Sequence, residues 1–571
     1  MKLIYKLLIA ISLVGLSACN VFELDEYLEN PNSVAPENAG VDFLYNNIQL
    51  SFENFFNSTW SFSGGVSRQI AMTGGFTYSG SYQPQSFNGI WSNAYASILP
   101  DIEALLVIAE ERDLGIYSGT AKVMEAYVLF TLADLFSDVP LSEALQGTDI
   151  IGPKADAGAD IYAAAHTLLD EAISELESAQ TAAPSVDIFY DGDAASWITL
   201  AKTLKLRAYV NARLIDSSAG DKIAALVAEG DLIDDESEDF QFQYSNNRLN
   251  PDSRHPFYAN SYESTDGDYM NNWYMWLLVN EKDMMDPRTR FYFYRQDGDL
   301  TDESSTVFGC VFSIFPDREA APDHFLAVDP DMPYCIVSED GYYGRDHGNG
   351  SGIPPDGPVR SVYGLYPAGG KFDDNSFDFV QNQGEDGAKG RGIQPIMLSS
   401  FTHFLRAEAA LTAGTGEDAR ALLESGIDAS MEKVFSFADA VDGSIVVASD
   451  PVSGDDITLG QAYLDPLDSL KGDYLDLVLA EYDAAGSDAE RLDIVVREYF
   501  IAAWGNGLET YNAYRRTGMP SNIQPTLDPG GGDFLRSALY PTDHVTLNPN
   551  ADQRDPTEPV FWDTNDKSLF R

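Results

Sequence analysis

Residues 121–136 (AKVMEAYVLFTLADLF) limit the fold more than any other stretch. They are apolar on nearly every side, and a helix of that kind must be surrounded by other elements. The small Ala126 and Ala133 let neighbouring helices come close. The run stops before Asp138-Val139-Pro140, as the restriction on residues preceding proline predicts. Further helical stretches bracket it: Asn93 to Glu111, broken at Pro100, then Asp160 to Ala179 and Ala194 to Ile215. In the last of these, Trp197, Ala201, Leu204, Ala208, Ala212 and Ile215 form one stripe, with Asp193 placed to cap it. Helices resume late in the chain at Ile396 to Thr412, Asp418 to Met431, Leu470 to Tyr482, Ala489 to Trp504 and Leu508 to Arg516. Ser487 with Glu490 makes a capping box before the fourth of these, and Thr415 with Asp418 a weaker one before the second.

Between the two helical units, about 93–235 and 395–516, lies an insert at about 240–392 that is rich in glycine, proline, asparagine and tyrosine. It lacks periodicity and reads as loops with short strands and turns. The expected fold is therefore mostly α, tetratricopeptide-like helix pairs with a long irregular insert, in a single domain over 41–571. Irregular segments this long are uncommon unless they carry function. Aromatic rings stand out in them, interleaved with glycine, serine and asparagine: Trp60, Phe76, Tyr78, Tyr82, Phe87 and Trp91, then Trp273, Tyr274 and Trp276, then Tyr342, Tyr343, Tyr363 and Tyr366. Flat rings beside amides and hydroxyls are the mixture found in ligand sites, although any single ring is as well explained by the core.

The first residues set the compartment. Lys2 and Lys6 precede an apolar run from Leu7 to Leu16, and Leu16-Ser17-Ala18-Cys19 closes it. That is a secretory signal with a lipoprotein cleavage site: residues 1–18 are removed and Cys19 receives acyl chains, which hold firmly when two or three are present. Residues 19–40, polar and carrying Pro31 and Pro36, read as a tether. Removing residues 1–18 deletes two lysines and no acid, taking the net charge from −55 to −57. Such a surface repels phosphate backbones, which argues against nucleic-acid partners. Its acidity is otherwise accounted for by solvation. Besides Cys19 only Cys310 and Cys335 remain, either as a disulfide closing a loop of about 25 residues or as two buried thiols.

No catalytic constellation is visible. His166, His255, His324, His347, His403 and His544 show no metal-ligand spacing, and no Gly-x-Ser-x-Gly elbow occurs. Gly364 to Lys371 is one residue too long for a phosphate loop and is followed by Phe372, so it reads as a glycine turn. The alternating acids from Asp297 to Glu303 read as an acidic surface turn, lacking the glycine and distal glutamate of a calcium loop. Neither a metal nor a cofactor is expected, and the chain is read as a non-enzyme.

Short motifs then accumulate in order. Glu29-Asn30-Pro31-Asn32 follows the lipid site. The helix from Ala121 exits through Phe136-Ser137-Asp138-Val139-Pro140. Trp197 to Arg213, Asp286-Pro287-Arg288, and Arg406-Ala407-Glu408-Ala409 come next. The chain closes with Trp504 to Glu509, Tyr514 to Pro520, Arg536, Tyr540-Pro541, Asn548 and Phe561-Trp562-Asp563. Together they resemble the SusD/RagB family of nutrient-binding outer-membrane lipoproteins of Bacteroidetes, in its second subfamily. Ser137 stands where that family usually has glycine. Ser537 and Ala538 stand where it often has Arg-Arg or Arg-Leu. The resemblance implies a lid over a SusC-type TonB-dependent transporter, lipid-anchored in the outer membrane and facing the exterior. Such a lid captures an oligosaccharide, or a peptide, and delivers it inward. By relative position the ligand-facing residues are expected to be Trp60, Tyr82, Trp91, Asn93, Trp273 and Tyr274.

Overall fold

A computed structural model describes residues 40–264, 267–300, 321–351, 357–380 and 384–571. The signal, Cys19, the tether up to residue 39 and Cys310 lie outside the described residues, as do Thr301 to Glu303. The chain is mostly helical. The longer helices are α1 (Val41–Val66), α2 (Leu99–Arg112), α3 (Gly115–Phe136), α4 (Gly158–Ser178), α5 (Ala194–Ala212), α6 (Ala219–Glu229), α7 (Asn272–Val279), α8 (Ser399–Thr412), α9 (Ala419–Phe435), α10 (Leu467–Ala484), α11 (Asp488–Ala502) and α12 (Gly507–Thr517). Three two-stranded antiparallel pairings add little. They join β1 (Phe240–Gln243) to β4 (Ile393–Met397), β2 (Phe293–Tyr294) to β3 (Val362–Tyr363), and β5 (Val446–Ser449) to β6 (Asp456–Thr458). Among the described residues no helix is long and apolar enough to cross a membrane.

The all-round apolar helix behaves as its composition demands. From Ile116 to Phe136 nearly every side chain of α3 is buried, and α4 packs along it. Helix α8 pairs likewise with α9. One continuous apolar core runs from Leu44 through both helical units to Trp562. Cap geometry agrees with the sequence at α5, where the Asp193 carboxylate accepts from Ser196 N at 3.2 Å. It agrees at α11 too, where Ser487 Oγ accepts from Glu490 N at 3.3 Å. At α9 the reading shifts by one role: Asp418 is itself the N-cap, accepting from Arg420 N and Ala421 N. Pro100 does not break its helix. A π-helical turn, Ala94–Ile98, precedes it and α2 continues through it, the wider turn absorbing the proline that lacks a donor.

Helix α3 ends at Ser137 with φ +66 and ψ −80, and Asp138 N donates to Phe136 O at 3.0 Å. This is a positive-φ γ-turn, a conformation that favours glycine. It explains why glycine is usual there in the resembling family. Here the serine hydroxyl compensates by accepting from Phe561 N at 3.1 Å. Ser537 and Ala538 leave no gap either. Both are buried, Ser537 Oγ donating to Glu558 O at 2.9 Å and Ala538 N to Leu135 O at 2.7 Å.

Several of the short motifs supply buried polar groups that join the two helical units. Asp134 of α3 accepts from Arg207 of α5, Asn512 of α12 and Trp562 Nε1, at 3.2, 2.9 and 2.9 Å. Arg207 also pairs with Glu509 of α12, which accepts from Tyr499 OH at 2.7 Å. Glu408 of α8 takes two bonds from Arg516, at 2.7 and 2.8 Å, and a third ion pair from Arg213 at 2.9 Å. Asp286 and Arg288 form a bidentate pair at 2.9 and 2.6 Å. These charges are buried and paired with one another, which specifies how the units dock.

Candidate functional site

Four irregular segments meet over the end of α1. Ala71 N donates to Tyr269 O at 2.8 Å, Arg345 N to Met270 O at 2.9 Å, Asn272 N to Arg345 O at 2.9 Å, Leu527 N to His347 O at 2.7 Å, and Tyr78 N to Gly531 O at 3.0 Å. Segments 68–83, 269–272, 345–351 and 524–532 are thus woven together by their backbones. They approach so closely that a Cβ on Gly350 would sit 2.6 Å from the carbonyl carbon of Gly75. Here a glycine is required by space.

Polar side chains complete the weave beneath. Arg68 Nε donates to Gln524 O at 3.0 Å and its Nη2 to Tyr78 OH at 3.0 Å. Tyr78 OH lies 3.0 Å from His347 Nε2. Burial, with the Arg68 charge beside it, holds His347 neutral, well below the usual histidine range. Gln524 binds both ways, accepting from His347 N at 2.9 Å and donating to Asp346 Oδ1 at 3.0 Å. Above this floor Phe76 stands 45% exposed. Around it Ser79, Gln83 and Ser351 are exposed, and Thr73, Thr77 and Ser81 half-buried. Asn349 Oδ1 accepts from Ser351 Oγ at 2.5 Å, while its buried Nδ2 has no partner. The surface therefore offers one open ring beside hydroxyls and amides.

The six expected ligand residues are not brought together here. Trp273 and Tyr274 need correction: both have 0% exposure, so neither ring presents a face to a ligand. They belong to α7, whose residues 273–279 are apolar all round and whose start is capped by Asn271 Oδ1, 2.9 Å from Trp273 N. Tyr274 OH donates to Phe500 O at 2.9 Å, and its ring stacks on Trp504 at 5.1 Å. Trp60 and Tyr82 are buried as well. Trp60 Nε1 donates to Tyr363 OH at 3.1 Å, and Tyr82 meets Phe62 edge-on at 5.1 Å. These rings support the loops from below. An uninterrupted apolar run at 273–279 was the signal for a buried helix, and it outweighs the aromatic content.

Trp91 is half-buried, with the rings of Tyr95 and His544 at 4.7 and 4.4 Å. It lines a separate cleft of about 260 Å³ with Glu143, Leu145, Gln146 and Ile150. Asn93, also half-buried, donates to Asn54 O at 3.3 Å. Phe76 belongs to the aromatic set picked out in the sequence but not to the six residues expected at the ligand. Its neighbours Gly74-Gly75 are the local sign that the backbone, not the ring, is what packs there.

The remaining features are structural. Gly364 to Lys371 closes as a turn, Gly370 N donating to Gly364 O at 3.0 Å, with Lys371 Nζ on Asp378 at 2.8 Å. Asp297 accepts from Asp299 N at 3.0 Å. Cys335 is buried and disulfide-bonded; Cys310, the partner expected for it, lies outside the described residues. Among the described residues no group of three or more His, Cys, Asp or Glu side chains could hold a metal ion.

Comparison with known proteins agrees with this architecture. Residues 31–319 match the family model described as starch-binding associating with outer membrane (SusD-like), and residues 389–547 match SusD and RagB outer membrane lipoprotein. Solved structures share the fold at low identity. A SusD homolog from Bacteroides fragilis has a TM-score of 0.63 at 16% identity, covering 92% of this chain and 100% of its own. A chitin-binding SusD homolog from Flavobacterium johnsoniae gives 0.62 at 18%, covering 92% and 99%. A SusD homolog from Bacteroides ovatus gives 0.61 at 18%, with the same coverages. No curated protein gives a significant match. The apolar α3, the buried polar groups supplied by several of the ordered motifs, and the family match over more than half the chain lead to one conclusion: this protein belongs to the SusD-like family of outer-membrane nutrient-binding proteins.

Proposed function

We propose that this protein is a non-catalytic surface lipoprotein that captures an oligosaccharide at the loop cluster around Phe76. On this reading it is held in the outer membrane by acyl chains on Cys19, with its body facing outward. It delivers its ligand to a SusC-type TonB-dependent transporter. The observation that carries the ligand reading is the exposed Phe76 ring, set on a pre-woven backbone beside exposed hydroxyls and amides. A ring face suits sugar C–H groups, and the polar rim suits sugar hydroxyls. The chitin-binding relative makes chitin oligosaccharides the first to try.

The test is calorimetry on residues 20–571 with chitohexaose, maltohexaose, xylohexaose and a mixed tripeptide library. Binding of one glycan is expected, and Phe76→Ala should weaken it at least tenfold, about 1.4 kcal/mol. Unchanged affinity in Phe76→Ala, or loss in Trp91→Ala instead, would move the site to the Trp91 cleft. Binding confined to peptides would replace the glycan reading. Extraction in mild detergent should recover a barrel transporter with the lipoprotein, and recovery of the lipoprotein alone argues against the delivery role.

A further inference from the structure

The Tyr78 hydroxyl occupies a singular position beneath the loop cluster. Arg68, which closes α1 at φ +65, donates to it from Nη2 at 3.0 Å. His347 Nε2 lies 3.0 Å away on the insert segment. Arg571 O, on the final residue, is 3.5 Å away and itself accepts from Arg68 Nη2 at 2.6 Å. Tyr78 N is bonded to Gly531 O, so the same residue reaches the 524–532 segment through its backbone. Its ring packs edge-on to Phe534 at 6.3 Å. One residue thus reaches two of the three cluster segments outside its own loop, 345–351 through its hydroxyl and 524–532 through its backbone.

The chain of bonds has a direction. A guanidinium only donates, so the Tyr78 oxygen accepts from Arg68. Its own proton then has two acceptors in reach, Nε2 of the neutral, buried His347 at 3.0 Å and Arg571 O at 3.5 Å, and the nearer one lies on the insert segment. Phe76 lies two residues before Tyr78 on a turn with Gly74-Gly75, and Ser351 lies four residues after His347. The ring and the hydroxyl rim therefore ride on the two loops that this one oxygen joins. We infer that Tyr78 is the positioning residue of the candidate site: its hydroxyl sets the loop bearing Phe76 against the loop bearing Asn349 and Ser351. This inference rests on the reading of that cluster as the ligand site.

The experiment compares Tyr78→Phe with Tyr474→Phe. The latter removes a buried hydroxyl that donates to Glu498 at 2.9 Å, between α10 and α11 and outside the four segments. Tyr78→Phe removes the bonds to Arg68 and His347, and Tyr474→Phe removes one charge-assisted bond to Glu498, so Tyr474→Phe controls for the general loss of a buried tyrosine hydroxyl. Hydrogen exchange at 72–83 and 346–351 should rise tenfold or more in Tyr78→Phe and stay at the wild-type rate in Tyr474→Phe. Affinity for chitohexaose should fall about tenfold in the first and hold in the second. Exchange at both loops unchanged in Tyr78→Phe overturns the inference, as does equal loosening in the two variants. If the loops loosen only in Tyr78→Phe but wild type binds no glycan or peptide, the positioning of the loops stands and the ligand reading fails.

Discussion

Glu408→Gln should destabilise this protein more than any surface change, and its size follows from the contacts. The Glu408 carboxylate is buried and receives Arg516 Nε at 2.7 Å, Arg516 Nη2 at 2.8 Å and Arg213 Nη1 at 2.9 Å. Glutamine keeps the shape, removes the charge and leaves two buried guanidiniums facing one neutral oxygen. Arg516 retains Asn211 at 2.8 Å and Arg213 retains Val210 O at 3.0 Å, so neither is stripped of all partners. Breaking a buried pair on one side costs about 3–5 kcal/mol. With an unfolding entropy of about 2.1 cal/mol/K per residue, about 500 described residues correspond to roughly 1 kcal/mol/K, so Tm should fall by about 3–5 °C at pH 7.

The pH dependence of that difference is diagnostic. Burial alone would raise the Glu408 pKa, but the charges of Arg516 and Arg213 outweigh it and hold the pKa below the ordinary glutamate value. A depressed carboxylate stabilises the fold above its unfolded pKa of about 4.3, and that contribution disappears as pH falls through the folded value. Circular-dichroism melts of wild type and Glu408→Gln should therefore differ fully at pH 6–7 and converge below about pH 4. A variant melting within a degree of wild type at pH 7, or a gap that persists unchanged at pH 3, refutes the assignment of Glu408 as the charge that holds the two arginines.

At the γ-turn, Ser137→Gly should be more stable than Ser137→Ala by about 1 kcal/mol in urea denaturation, because both lose the hydroxyl and only glycine relaxes φ +66. Gly350→Ala should cost about 1–3 kcal/mol and separate the Phe76 loop from the insert, since its Cβ would fall 2.6 Å from Gly75 backbone; chitohexaose affinity measured beside the melt reports both effects. Cys19→Ala should abolish incorporation of labelled palmitate and release the protein from membranes, whereas retained label would place the lipid elsewhere.

Much of the architecture was legible because it follows from local chemistry. The all-round apolar α3, the Asp193 and Ser487 caps, the stop before Pro140 and the division by a glycine-rich insert all carry their cause within a few residues. Boundaries slipped where the cause was three-dimensional. Pro100 survives inside a helix because a π-helical turn makes room for it, and Ser137 tolerates positive φ because Phe561, distant in sequence, lends a donor. The candidate site was the least legible part. Trp273 and Tyr274 look like exposed loop rings beside their polar neighbours, yet α7 is closed in by α11 and the insert.

Residue type at short spacing was enough for the helical class, the family and the apolar core helices. Only the tertiary structure decided which rings meet solvent. Whether an aromatic faces a ligand or plugs a core depends on which other segments cover it. Phe76 is left open because Gly75 and Gly350 let two backbones touch beneath it, a contact between residues hundreds of positions apart that no local pattern encodes.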